Sequence, residues 1–416
     1  MIGIFQSYRG KKDINDRKII LPRFLWNWID KKINFFIPKA YPFHEVVLYF
    51  LKYLSGTPEI YPYLPNDATG YYYDGHIHSK GSDGRNTLRE IVEYISKVRY
   101  KEKWLLDGLS LSDHSLDPIH EIMKTFKGHG NEKLIHDSFK FAEIVQEYKN
   151  MEKLPEHFIT FPGSGEFNTG HFEDEDSWHR EILVYGVPEN FVEKLGGCAD
   201  KIAFMQPVEF IEKVHDENGI AILAHPFAPP GIHDNLEAWR KADGIESINA
   251  VSGMPCDAVV AQNLYRLLKR ETKYPKILKE GSKIIKNLLL IIGYINWISE
   301  RLAKKWNVPV VGNSDGHDIA LMGCGVTRVD EPLESIEDFR NALKKRKTEA
   351  IFNTRWHYAR DKEEAIEAII LDVQLTLEKW GPNVIYNPKM NVLIRILTKA
   401  LSFAVKVHDL NAKKFK

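Results

Sequence analysis

The chain has only three cysteines, Cys198, Cys256 and Cys324, among 416 residues. They are odd in number and far apart, which argues against a disulfide framework and fits a reducing compartment. Neither sign of charge is in excess, with 57 Lys and Arg against 57 Asp and Glu. No overall field therefore draws the chain to nucleic acid or an acidic surface. The most apolar run, Leu288 to Ile295, falls far short of the roughly 20 residues that span a bilayer. The N-terminus, Met1-Ile-Gly-Ile-Phe-Gln-Ser-Tyr-Arg, lacks the apolar core of a signal peptide. A cytoplasmic protein with no transmembrane segment is expected. Internal repeats and low-complexity segments are also missing. What remains is ordinary globular composition, 44% hydrophobic and 27% charged, long enough for one barrel-sized domain with extensions.

Residues 1–70 read as an N-terminal helical extension and linker. Arg23 to Phe36 and His44 to Leu54 have helical spacing, and Pro58, Pro62 and Pro65 break the chain after them. His44 reads as an ordinary structural histidine. From Tyr71 short apolar runs alternate with helical stretches, the pattern of a parallel α/β protein. Leu88, Ile91, Val92, Ile95 and Val98 mark an amphipathic helix, and Leu134 to Lys149 and Val208 to Val214 mark two more. Strands are expected at 71–78, 104–111, 158–166, 181–185, 220–224, 244–249, 308–313 and 350–354. Residues 257–306 read as a helical insertion and 357–416 as a C-terminal helical extension.

Polar residues fall in a regular place along this series. His76 and His78, Asp113 and His114, Glu166, His225, and Asp315 with His317 each close an apolar run. A strand through His76-Ile-His78 puts both imidazoles on one face, because side chains alternate with period two. Asp83, on the Ser-Asp-Gly turn that follows, adds a carboxylate. In barrels of parallel strands the C-terminal strand ends carry the site. Five such ends loaded with His, Asp and Glu point to a metal cluster.

These motifs resemble those of the PHP (polymerase and histidinol phosphatase) family. His76-Ile-His78 with Ser82-Asp83-Gly84 resembles its opening motif and Ser112-Asp113-His114 its second. Pro162-Gly-Ser-Gly-Glu166, Ala224-His225-Pro226 and Ser314-Asp315-Gly-His317 resemble the rest, in the same order over about 71–356. The resemblance implies a distorted (β/α)7 TIM-like barrel holding two or three divalent ions. His76, His78, Glu166 and Asp315 would hold one ion. Glu166 would bridge to a second, shared with His179 and His225. Asp83, His114 and His317 would hold a third. His179 comes slightly early for its motif, so His171 and Glu181 stay open for that place. Asp113 and Glu166 are the expected catalytic groups, Asp113 by fixing an imidazole or receiving a proton. The arginine that often follows the Ala-His-Pro motif is replaced by Phe227-Ala-Pro-Pro.

A mixed His, Asp and Glu donor set suits zinc, manganese or iron without choosing among them. The lack of cysteine in every motif argues against a structural thiolate zinc site. Closely spaced ions lower the pKa of a bridging water toward about 7 and clamp the phosphoryl oxygens, so hydrolysis of a phosphate ester is expected. Balanced charge favours a small phosphate monoester over nucleic acid. A nuclease or nucleotide phosphodiesterase is the enzymatic alternative, and a non-catalytic interaction module, which would have eroded ligands, the other. Arg266, Lys269, Arg270, Lys273, Lys276 and Lys279 make the insertion basic, either as a solvated helix face or as a wall over an anionic substrate. Pro388 to Lys416 carries an apolar stripe with seven Lys or Arg and one acid, Asp409. Packing against the barrel or a second subunit is expected there, and a membrane surface is the alternative.

Overall fold

A computed structural model describes residues 69–100, 103–115, 133–170, 180–196, 202–226, 235–249, 296, 299–319 and 321–353. Nearly all belong to one compact unit, 61–232 with 237–416. A second unit, 1–60 with 233–236, falls almost wholly outside them. The expected helical extensions, most of the 257–306 insertion and its basic run therefore lie outside the described residues.

Within the compact unit the chain is mixed α/β. The strands are β1 (Tyr71–Ile77), β2 (Arg99–Tyr100), β3 (Lys103–Trp104), β4 (Gly108–Leu111), β5 (Gly165–Thr169), β6 (Arg180–Tyr185), β7 (Ile220–Leu223), β8 (Gly244–Asn249), β9 (Val310–Asn313), β10 (Gly325–Val329) and β11 (Glu349–Phe352). The main helices are α1 (Leu88–Ile95), α2 (Leu134–Asn150), α3 (Phe191–Lys194), α4 (Pro207–Asp216), α5 (Leu236–Lys241) and α6 (Ile336–Lys344). One sheet has the order β11-β10-β1-β4 and another β5-β6-β7-β8-β9, with β2 and β3 a separate hairpin.

Single parallel bridges join the two larger sheets, Ile77 with Gly316 on one side and His114 with Glu166 on the other. The structure departs in two respects from a regular barrel of parallel strands. The ladder is interrupted at both seams, where, among the described residues, single bridges replace a continuous run of paired strand residues. Strand β6 also runs antiparallel to both β5 and β7, whereas β1–β4, β7–β8 and β8–β9 are parallel. The short connection between β5 and β6 accounts for the reversal. Parallel neighbours need a crossover of a dozen or more residues, and residues 170–179 are too few.

A second correction concerns the run Phe158 to Phe161. It contributes one bridge, Ile159 with Gly108, and strand β5 begins only at Gly165. Pro162 has no N–H to give a ladder, and Gly163 takes a left-handed φ of 70°. A Cβ at Gly163 would lie 1.9 Å from the Val187 carbonyl oxygen, so this turn needs glycine.

Helix boundaries follow local chemistry. Thr87 and Glu90 cap α1 reciprocally as a capping box, Pro207 opens α4, and Ser335 caps α6. The buried faces of α1 and α2 pack with Tyr72, Leu109 and Leu111 in one core. Tyr73, Phe161, Leu183, Tyr185, Ile222, Val311 and Phe339 form another. Neither β10 nor α6 was expected from the sequence.

Alternation along β5 couples core and site. Glu166 and Asn168 share one face, while Phe167 turns the other way onto Phe191 and Phe210, with ring centroids 6.0 and 5.2 Å away. Replacing this fully buried ring leaves a cavity directly behind Glu166. Phe167→Ala is expected to lower stability by about 3–5 kcal/mol, measured by urea unfolding. A loss under about 1 kcal/mol would show that the strand is held without this packing.

Candidate metal centre

Strand β1 delivers two imidazoles to one place. His76 and His78 are both fully buried, with ring centroids 5.0 Å apart. The Ser79–Gly84 turn brings Asp83 back, its Oδ1 3.8 Å from His78 Nδ1. His114, just after β4, stacks on His78 at 4.3 Å. Glu166 enters from β5, His225 from the end of β7, and Asp315 and His317 from the turn after β9. Asp315 holds that turn in a left-handed conformation, φ 54°, a region where Asp is among the favoured non-glycine residues.

Glu166 is the shared point of the arrangement. Its Oε2 lies 3.2 Å from His76 Nε2, 3.6 Å from His78 Nε2 and 3.0 Å from His114 Nδ1. Its Oε1 lies 3.5 Å from His225 Nε2. Asp315 Oδ1 reaches His78 Nε2 at 3.0 Å and His76 Nε2 at 3.3 Å. Asp83 reaches His317 Nε2 at 3.1 Å and His114 Nε2 at 3.7 Å. Nine side chains thus form four overlapping groups of donor atoms: His76, His78 and Asp315; His76, Glu166 and His225; His114, Glu166 and Glu181; and His78, Asp83, His114 and His317.

Of the sequence candidates, His76, His78, Asp83, His114, Glu166, His225, Asp315 and His317 meet here. His179 and His171 lie outside the described residues. Glu181 is in the cluster, its Oε2 3.2 Å from His225 Nε2 and its Oε1 3.7 Å from His114 Nδ1. It opens β6, and because that strand is reversed, its N-terminal end reaches the same rim as the C-terminal end of β7. Asp113 is buried beside the cluster and accepts three hydrogen bonds from the 79–82 turn. The donors are Ser79 N at 2.6 Å, Ser79 Oγ at 2.7 Å and Ser82 Oγ at 2.9 Å.

Four further buried residues were missed by sequence reading. Glu246 accepts from His76 Nδ1 at 2.9 Å. Asn249 donates to Asp315 Oδ2 at 3.0 Å and Asn313 donates to Glu246 at 2.9 Å. Asp74 accepts from Ser314 N at 3.0 Å and Gly323 N at 2.7 Å, fixing the turn that carries Asp315. Asp74 shares the period-two face of His76 and His78, and Asn249 closes an apolar strand as the ligands do, but Glu246 lies mid-strand with no such signal.

The charge balance fits divalent ions. Burial lowers the affinity of His76 for a proton, but the carboxylates of Asp315, Glu166 and Glu246 outweigh it and hold the imidazole well above its ordinary value. Burial likewise opposes protonation of His114, yet Glu166 and Asp83 push it up to about 10. Burial depresses His78 to about 3, helped by His317 and His114. For Glu166, burial works upward, but His76 and His114 hold it well below the usual carboxylate range. Burial and the neighbouring Glu166 raise Glu181. Without ions, protons on imidazole offset this buried negative charge. Glu166 Oε1 is nevertheless buried with no hydrogen-bond partner, a costly condition that a coordinated cation would relieve.

The family model described as PHP-associated matches residues 293–348, which bears out the PHP resemblance read from the motifs. No curated protein matches the chain. Several solved structures are similar to it. One is a two-domain protein containing a predicted PHP-like metal-dependent phosphoesterase from Bacteroides vulgatus, at 15% identity and TM-score 0.39, covering 75% of this chain and 72% of that one. Another is PsfC from Pseudomonas syringae, at 13% identity and TM-score 0.40, covering 73% and 98%. A third is an amidohydrolase from Chromobacterium violaceum with bound sulfate and no metal, at 12% identity and TM-score 0.31, covering 68% and 98%. Likenesses this distant carry no argument about activity.

Two outcomes are expected of this cluster. Protein purified without chelator and replenished with zinc or manganese should hold at least two ions per chain by elemental analysis; fewer than one would refute the metal reading. Binding at pH 7 should also release protons, because ions displace those on His76, His114 and His225, where burial opposes the proton but Glu166 and Glu181 hold His225 above its ordinary value. Affinity should therefore rise with pH. Titration calorimetry in buffers of different ionisation enthalpy measures the release, and buffer-independent heats would contradict it.

Proposed function

We propose that the chain is a metal-dependent phosphoesterase that hydrolyses a small phosphate monoester. The observation that carries this reading is the convergence of eight His, Asp and Glu side chains with the buried carboxylate of Glu166. Bound divalent ions would supply Lewis acidity and an activated water for in-line attack at phosphorus.

The chain's own residues divide into holders and supports. His76, His78, Glu166 and Asp315 form one set. Glu166 extends to a second with His225, where Glu181 takes the place left open among His179, His171 and Glu181. Asp83, His114 and His317 form the third. Asp113 supports by fixing the turn that presents Asp83, so its proposed role is positioning. Side-chain exposure rises from zero at His76 and Glu166 through 9% at Asp315 to 15% at His317, so substrate approaches from the side of the turn after β9. Balanced chain charge supports a small substrate, since nucleic-acid binding depends on dense positive charge. Among the described residues no helix is long and apolar enough to cross a membrane. A cytoplasmic location remains part of the proposal.

The test is hydrolysis of phosphate mono- and diesters with zinc, manganese or iron added. Monoester turnover is expected, and diester or nucleic-acid cleavage alone would shift the reading to a phosphodiesterase. No turnover by metal-loaded protein on any ester would favour the non-catalytic module. Glu166→Gln should lower kcat/KM by at least about 100-fold, the upper end of what loss of an outer partner costs. Glu181→Gln should cost less, because among the described histidines it reaches two, His114 and His225, against four for Glu166. Equal residual rates in two folded variants would remove Glu166 from its central role.

A further inference from the structure

We infer that Glu246 is a positioning residue that fixes which nitrogen of His76 faces the cluster. The inference rests on the metal-dependent reading above and extends it to a residue outside the proposed ligands. Glu246 is fully buried on β8. Its Oε1 accepts from His76 Nδ1 and Asn313 Nδ2, each at 2.9 Å. Its Oε2 accepts from the His225 backbone N–H and Asn249 Nδ2, also at 2.9 Å.

A carboxylate offers about four lone-pair sites, and four N–H donors fill them here. Nothing is left for an ion, so Glu246 is a holder and not a ligand. A neutral imidazole carries one N–H. With that proton on Nδ1, donated to Glu246, the lone pair of His76 sits on Nε2. Nε2 is the atom that faces Glu166 Oε2 at 3.2 Å and Asp315 Oδ1 at 3.3 Å. A carboxylate behind a ligating imidazole sets its tautomer and raises its basicity.

The same carboxylate ties four segments together. His76 belongs to β1, His225 follows β7, Asn249 ends β8 and Asn313 ends β9. Asn249 passes the restraint on to Asp315 Oδ2. Glutamine cannot replace Glu246 without conflict, because its amide nitrogen would face two donors at one end or the other.

The experiment uses the full chain with zinc as the probe and histidine labelled with nitrogen-15, the His76 signals being assigned by their loss in His76→Asn. In zinc-loaded protein His76 should carry its proton on Nδ1 and bind through Nε2. A proton on Nε2 would overturn the inference. Glu246→Gln should weaken zinc binding by about 10- to 100-fold in chelator competition and shift or remove the Nδ1–H signal. Glu143→Gln, on the exposed face of α2, should change neither. Wild-type affinity and an unchanged signal in Glu246→Gln would also overturn it. If that variant fails to fold, the wild-type tautomer decides. Zinc bound through Nε2 without hydrolysis of any ester would defeat the phosphoesterase reading alone. Failure to bind zinc would overturn the inference, and failure to bind zinc, manganese and iron alike would defeat both.

Discussion

One buried negative charge governs the arrangement around it. The Glu166 carboxylate has no access to water and is ringed by His76, His78, His114 and His225. An isolated carboxylate in such a place would be prohibitively costly. It persists because cations surround it, protons on imidazole in the bare protein and divalent ions in the proposed working state. The four imidazoles come from β1, the end of β4 and the end of β7. Holding them at one carboxylate therefore demands that both sheets be fixed relative to each other. The seam bridge between His114 and Glu166 meets that demand directly, since the residues that join the sheets are the ones that share the charge.

A second constraint follows from the first. Imidazoles that ring a charge must also be oriented, and orientation comes from behind. Glu246 backs His76 and the His225 main chain. Asp74 anchors the Asp315 turn through Ser314 and Gly323. Asp113 anchors the Asp83 turn through Ser79 and Ser82. Three buried acids that are not among the proposed ligands thus each accept several N–H or O–H donors. Their hydrogen bonds offset the cost of burying charge next to an already negative cluster. Mutating any of them changes the site without touching an ion.

Much of this was legible in the sequence because ligand chemistry leaves few residue types to choose from. His76 with His78, His114, Glu166, His225 and Asp315 with His317 stood out as polar residues closing apolar runs, and all of them meet. The supports were less visible. Glu246 in Gly244-Ile-Glu-Ser-Ile-Asn249 looks like an ordinary alternating strand residue, and only its burial beside His76 gives it meaning. The Phe158 to Phe161 run misled for a different reason. It is as apolar as a strand, but the Pro162-Gly163 turn ends it after one bridge, and hydrophobicity alone carries no sign of that. β10 and α6 were passed over although Ser335 marks the helix start.

Strand β6 shows why the expectation about strand ends succeeded despite a wrong direction. The rule that sites gather at C-terminal ends holds for parallel strands because those ends share one rim. The physical requirement is the rim, not the chain direction. A short connection reverses β6, so its N-terminal end lies beside the C-terminal end of β7, where Ala224 N–H donates to the Glu181 carbonyl. Glu181 therefore enters the cluster from the start of its strand while His225 enters from beyond the end of its neighbour. A search confined to C-terminal ends would pass over Glu181. Once the reversal is allowed, the acid at the first inward position of β6 is the expected donor, and its distances to His225 and His114 agree.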